Sequence, residues 1–172
     1  KFTYDNHTID HLGVKLYSTI PPMLAELVSN AWDADAHNVY IDLQNGEDKQ
    51  ICVRDDGEGM SFEELNYKFL KIGRNRRAET HCNCTSLGRP VLGKKGLGKL
   101  SMFGIGHKII VTSIKDGKKN SFLMDYDKIK EASEGVYEPE LLCVDEITTI
   151  GTGTSIEIKD LNRKSDFDLE SI

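Results

Sequence analysis

Four short stretches of this sequence carry residue types that could do chemistry. In VRDDGEGM, residues 53–60, Asp55 closes an alternating run and is followed by Gly57 and Gly59. A carboxylate acceptor therefore stands beside backbone that can bend sharply and approach a ligand closely, which suits an amino group. A tight acidic turn has the same composition. In GRPVLGKKGLGKLS, residues 88–101, Gly93, Gly96 and Gly98 alternate with Lys94, Lys95 and Lys99 ahead of an expected helix. Free backbone N–H groups, a positive helix end and ammonium charge suit phosphate. In ELVSNAWDADA, residues 26–36, Glu26, Asn30 and Asp33 recur at helical spacing opposite Leu24, Leu27, Val28 and Ala31. Periodicity alone reads that polar side as solvated, although Asn30 and Asp33 are indifferent helix formers and hint at another reason for their presence. The fourth stretch, GTGTSIEI at 151–158, reads by itself as a turn entering a strand.

The elements that would position these residues follow from pattern. Pro21 and Pro22 fit a first helical turn, and the helical spacing then runs to about Ala34. NVYIDL (38–43) and QICVRD (50–55) alternate apolar and polar residues around Asn45-Gly46, which predicts a hairpin. Ser61 and Glu64 form a capping box for a second helix over 61–72, with Phe62, Leu65, Phe69 and Ile72 at helical spacing. Residues 73–98 turn polar and Gly-rich with little periodicity, which predicts a long mobile lid. After a short helix over 99–105, KIIVTSI, SFLMDY, ELLCVDEI and TSIEIKD read as strands, with KDGKKN as one turn. Helices early and strands late predict an α+β fold, a mostly antiparallel sheet with helices on one face, in one domain over residues 1–172.

Composition narrows the classes. With 38% hydrophobic and 29% charged residues the chain is neither disordered nor membrane-embedded, and no apolar run approaches a membrane span. A net charge of −6 argues against a broadly basic nucleic-acid surface, leaving only a local patch at Arg74, Arg76 and Arg77. The four cysteines, Cys52, Cys82, Cys84 and Cys143, do not form a secreted disulfide framework, and with no signal-peptide pattern a reducing, cytoplasmic compartment is expected. The chain starts at Lys1, so it is expected to be the N-terminal part of something longer. HCNC at 81–84 has one residue between its cysteines and no second pair, which argues against a zinc site. Asp55, Asp56 and Glu58 are oxygen ligands but lack EF-hand spacing. Gly88 to Lys94 spells most of a P-loop, yet Lys95 stands where its Ser or Thr belongs and no strand precedes it.

Together and in this order, the four stretches resemble the GHKL ATPases, the Bergerat-fold superfamily of DNA gyrase B subunits, Hsp-ninety chaperones, MutL mismatch-repair proteins and sensor histidine kinases. ELVSNAWDA resembles the N box of that superfamily, DDGEGM its D-x-G-x-G box, GKKGLGK its glycine-rich lid and GTGTSI its final Gly-Thr box, over residues 24–158. FLKIGRNRRAE followed by the lid stretch looks closer to MORC-type and related prokaryotic ATPases, with Arg74-Asn75-Arg76 in place of their Ser-x-Lys.

The resemblance implies a two-layer Bergerat sandwich with a flexible ATP lid, and it implies roles. Asp55 would accept the adenine amino group with support from Thr154, while Gly57 and Gly59 would let the base approach and Met60 would pack on it. Asn30 would ligate magnesium, Asp33 would line the pocket, and Glu26 would be the general base for water attacking the γ-phosphate. Gly93, Lys94, Gly96, Leu97 and Gly98 would cradle the phosphates, with Lys99 beside them. The implied ligands are ATP and Mg2+, and the implied activity is Mg-dependent hydrolysis of ATP to ADP and phosphate. It would be weak in the isolated domain, because relatives add a lysine from a following domain and a glutamate beside a triphosphate works against strong negative potential. The domain would act as a conformational switch, with an ATP-dependent homodimer of the full-length protein as its expected assembly and no nucleic-acid or membrane partner indicated. The alternatives are a nucleotide-sensing module that does not hydrolyse and a histidine-kinase catalytic domain. Glu26 favours hydrolysis, since the kinases generally lack it.

Overall fold

The structure, a computed structural model, describes residues 2–3, 19–69, 84–92, 101–132 and 136–168. Helix α1 spans Ile20–Asp33, with a proline in its first turn, where the missing N–H costs no hydrogen bond. It buries Ile20, Met23, Leu24, Leu27 and Ala31. Val28, expected on that side, is 39% exposed, because the buried stripe runs through Ile20 and Met23 and leaves it at the border. The helix stops where Asp35 takes a left-handed φ of 58°.

Strand β1 (Phe2–Thr3) pairs with β6 (Val136–Tyr137), a small ribbon that the sequence pattern did not signal. Strands β2 (Val39–Gln44) and β3 (Gln50–Asp55) form the expected antiparallel hairpin. Its turn is longer than the Asn-Gly signal suggests, since Asn45 uses its side chain on the C-terminal segment, accepting from Phe167 N at 2.7 Å. The Ser61 capping box is formed, but helix α2 (Phe62–Glu64) widens at once into a π-helical stretch, Leu65–Phe69, and the rest of the expected helix lies outside the described residues. Of the short helix expected over 99–105, Ser101 is helical and a 3-10 turn follows at Met102–Gly104, while residues 99–100 lie outside the described residues. Strands β4 (Gly106–Lys115) and β5 (Lys118–Asp125) meet through Asp116 and Gly117, both at positive φ, the backbone that a two-residue hairpin demands. Helix α3 (Tyr126–Glu131), capped by Asp125, is too short for periodicity to reveal. Strands β7 (Glu140–Ile147) and β8 (Gly153–Leu161) are the last of the described strands.

Six strands form one sheet in the order β2-β3-β8-β4-β5-β7, with every neighbouring pair antiparallel. The α+β expectation holds. One face carries Ile51 and Val53, Ile156 and Ile158, Ile109 and Val111, Phe122 and Met124, which join Met23, Leu24, Leu27, Met102, Phe103 and Ile129 in a single core. Fully burying each such side chain stabilises by about 1.5–3 kcal/mol. The topology places β8 between β3 and β4, so the last strand of the sequence reaches the centre of the sheet. At one end of the core-facing side the apolar rows give way to a polar one. Asp55 pairs with Thr154, Thr154 with Ser113, and Ser113 with Asn120. No helix of the described residues is long and apolar enough to cross a membrane.

Candidate functional site

The polar row begins at Asp55. Its Oδ1 accepts from Gly57 N at 2.9 Å and from Thr154 N at 3.3 Å, so residues distant in sequence share one carboxylate. Its Oδ2 has no partner among the described residues. Burial pushes the Asp55 carboxyl above its ordinary value, against the two backbone N–H groups that lower it, and the neighbouring Asp56 charge raises it further. A half-buried acceptor whose second oxygen has no donor among the described residues is ready to receive one from a ligand.

The loop that follows is fitted to the sheet and to the end of α1. Gly59 sits at φ 63°, and a Cβ there would lie 2.0 Å from the Ile114 carbonyl oxygen, so only glycine lets the loop lie flat on β4. This gives Gly59 a structural reason independent of any base. A Cβ on Gly57 would lie 2.6 Å from the Ala34 carbonyl oxygen, and Glu58 N donates to that same oxygen at 2.9 Å. Met60, half-buried against the core, donates its N–H to Ser113 Oγ at 2.8 Å. Asp56 closes the other side. Its Oδ1 accepts from His37 N at 2.7 Å and Asn38 N at 2.8 Å, and its Oδ2 from Asn38 Nδ2 at 2.8 Å. Chiefly through the Asn38 backbone and side-chain donors, the Asp56 carboxyl is held down to about 2.

Helix α1 carries Glu26, Asn30 and Asp33, all half-buried. Glu26 and Asn30 make no side-chain hydrogen bond among the described residues, whereas Asp33 Oδ1 accepts from Leu92 N at 2.8 Å. That contact belongs to a larger junction. Asp35, 6% exposed, accepts from Thr85 Oγ1 and from Leu87 N at 2.9 Å, and its Oδ1 lies 3.8 Å from Arg89 Nε. Against burial, which raises it, these groups hold the Asp35 carboxyl below its ordinary value. Arg89 donates to Ala36 O at 2.7 Å and lies 4.7 Å from the centre of the Trp32 ring, while Trp32 Nε1 donates to Pro90 O at 3.0 Å. Residues 84–92, read from sequence as part of a mobile stretch, are therefore bound to the end of α1 by named bonds.

The structure thus joins Asp55, Gly57, Gly59, Met60 and Thr154 in one locality and docks it on the end of the helix that carries Glu26, Asn30 and Asp33. Gly93, Lys94, Gly96, Leu97, Gly98 and Lys99 lie outside the described residues, as do Arg74, Arg76, Arg77 and Cys82. Sequence reasoning missed Ser113, Asp35 and the anchoring role of Asp56. Ser113 had a readable signal: it falls on the apolar parity of Ile109 and Val111, where a core residue was due. Among the described residues no group of three or more His, Cys, Asp or Glu side chains could hold a metal ion. The half-buried Asn30 amide, unengaged by described residues, is the kind of single oxygen that Mg2+ accepts when phosphates and waters fill its other positions.

The family described as histidine kinase-, DNA gyrase B-, and HSP90-like ATPases matches residues 17–154. The chain is 37% identical to the putative type II restriction enzyme HgiDII of Herpetosiphon aurantiacus, over 94% of this chain and 26% of that protein. It is 29% identical to the chaperone protein HtpG of Rickettsia typhi over 67% of this chain and 22% of that one. To the ATPase morc-1 of Caenorhabditis elegans it is 30% identical over 60% of this chain and 11% of that one. The chain therefore spans about a quarter or less of the length of these relatives.

Proposed function

The chain belongs to the histidine kinase-, DNA gyrase B-, and HSP90-like ATPase family, and from that premise we propose that it binds ATP with Mg2+ and hydrolyses it as the switch of a larger protein. The observation that carries this reading is the polar row at the end of the sheet, where Asp55 keeps Oδ2 for a ligand donor beside Thr154. An adenine amino group supplies such a donor.

In this reading residues 1–172 form one nucleotide domain whose lid lies at about 73–98 and is anchored on the end of α1 through residues 84–92, and Gly57, Gly59 and Met60 line the base. Asn30 holds magnesium, which when bound neutralises phosphate charge, and Asp33 lines the phosphate side. Gly93, Lys94, Gly96, Leu97, Gly98 and Lys99 receive the phosphates. Glu26 takes a proton from water as its oxygen attacks the γ-phosphorus and the bond to the ADP oxygen breaks. Glu26 is half-buried and makes no side-chain hydrogen bond among the described residues. Lid closure then alters the pose or dimerisation of regions beyond this chain, and turnover by the chain alone is weak.

The test is calorimetry on the full-length protein with a non-hydrolysable ATP analogue, with and without magnesium, beside turnover of Glu26→Ala. The variant should keep its affinity for the analogue and lose about a hundredfold or more in turnover, the usual contribution of a general base. Unchanged turnover removes Glu26 from that role. Loss of the parent's hydrolysis with binding retained in both proteins would favour a sensing module.

A further inference from the structure

Ser113 is 1% exposed on β4, in register with Thr154 on one side and Asn120 on the other. Three groups converge on its hydroxyl: Met60 N at 2.8 Å, Thr154 Oγ1 at 3.1 Å and Gly153 O at 3.2 Å. A serine hydroxyl has one hydrogen and two acceptor sites. The amide of Met60 can only donate and the carbonyl of Gly153 can only accept, so those two contacts fix one acceptor site and offer one destination for the hydrogen. With the hydrogen on Gly153 O, the remaining contact closes in one way: Thr154 must donate to Ser113. Every capacity of the buried serine is then used. The alternative, Ser113 donating to Thr154, leaves its second acceptor site empty and gives up the bond to Gly153 O, a poorer arrangement for a group shut away from water.

We infer that Ser113 is a positioning residue that fixes the hydrogen-bond polarity of Thr154, so that Thr154 faces the base as an acceptor. Resting on the base-end reading above, this sets two acceptors toward the purine 6-position: Thr154 Oγ1, with its hydrogen committed inward, and Asp55 Oδ2. The two hydrogens of a 6-amino group pair with them, one each, whereas a 6-oxo oxygen meets acceptors on both sides. The same hydroxyl ties the Asp55–Met60 loop to the sheet through Met60 N, so the loop and the Thr154 rotor are set by one atom.

The test compares binding of ADP and of inosine diphosphate, its 6-oxo counterpart, by the full-length protein, with their Kd ratio as the readout. Ser113→Ala frees the Thr154 hydroxyl to rotate and donate, so the preference for ADP should fall about five- to tenfold, the effect of one neutral hydrogen bond. Thr154→Val should lower the preference by a similar factor, and the double variant should fall no further, because both changes remove one oriented acceptor. A purely structural Ser113 would weaken both nucleotides equally. An unchanged ratio in Ser113→Ala, or falls that multiply in the double variant, overturns the inference. Should Ser113→Ala not fold, Ser113→Cys keeps the volume with a weak S–H donor and should give a smaller fall; an unchanged ratio there also overturns it. Failure of the unaltered protein to bind ADP sinks the base-end reading itself.

Discussion

At the junction where α1 meets the loop after β3, the protein satisfies its carboxylates from its own donors, whereas at the base end it leaves one short. Asp56 takes His37 N, Asn38 N and Asn38 Nδ2, and Asp35 takes Thr85 Oγ1, Leu87 N and the Arg89 charge. Asp55, next to Asp56 in sequence, receives two N–H groups on one oxygen and none from the described residues on the other. The junction builds the fold, and the proposed base end leaves one carboxylate oxygen without a donor among the described residues. A half-buried carboxylate with few donors is a cost to the unliganded protein that a ligand can offset.

The largest effect should come from altering that carboxylate. Asp55→Asn turns an acceptor into a group that can present N–H to an amino donor, so affinity for a non-hydrolysable ATP analogue should fall a hundredfold or more, as for a lost charge-assisted bond with an opposed donor in its place. The remaining amide oxygen can still receive Gly57 N and Thr154 N, and the half-buried charge is gone. The unliganded variant should therefore melt at or above the temperature of the parent. Tight binding retained by the variant would end the adenine assignment. A variant that loses binding only by unfolding would place Asp55 with the junction carboxylates.

Next in size is Asp35→Ala, which takes the acceptor from Thr85, Leu87 and Arg89 together. Losing a buried hydrogen-bond network should lower the melting temperature by about 5 °C or more and open residues 84–92 to limited proteolysis. Protection of that segment at the parental level would show that Trp32 and Asp33 hold it alone through Pro90 and Leu92.

What the sequence made legible divides along the same line. The Asp55–Met60 loop, helix α1 and the Asp116-Gly117 turn announce themselves because glycine, proline and helical spacing act within a few residues. The strand pattern sufficed for an antiparallel sheet. The junction could not be read, because Asp35 and Thr85 are far apart in sequence and only the fold brings them together. Nor could the polar row, whose members look like ordinary strand residues until β8 is inserted between β3 and β4. Val28 marks where helical periodicity misled, since burial depends on the angle at which the helix meets the sheet, and the π-helical stretch after Glu64 is a change of pitch that residue spacing does not show.

The smallest effect tests the comparison within a single dipeptide. A carboxyl held down to about 2 when folded and near 3.8 when unfolded adds stability above the unfolded value and loses it as pH falls through the folded one. Asp56 should therefore contribute an acid-labile part of the stability between about pH 4 and pH 2. Asp55 carries the opposite sign: its raised folded value means that protonation is favoured in the folded state, so its contribution to the unliganded protein improves as pH falls from neutral. Urea unfolding from pH 6 to pH 2 separates the two. Asp56→Asn should be less stable than the parent at pH 6 and lose less below pH 4, while Asp55→Asn should lack the gain on mild acidification. Equal pH slopes in the two variants would mean that both carboxylates serve the fold alike, and the distinction between junction and base end would collapse.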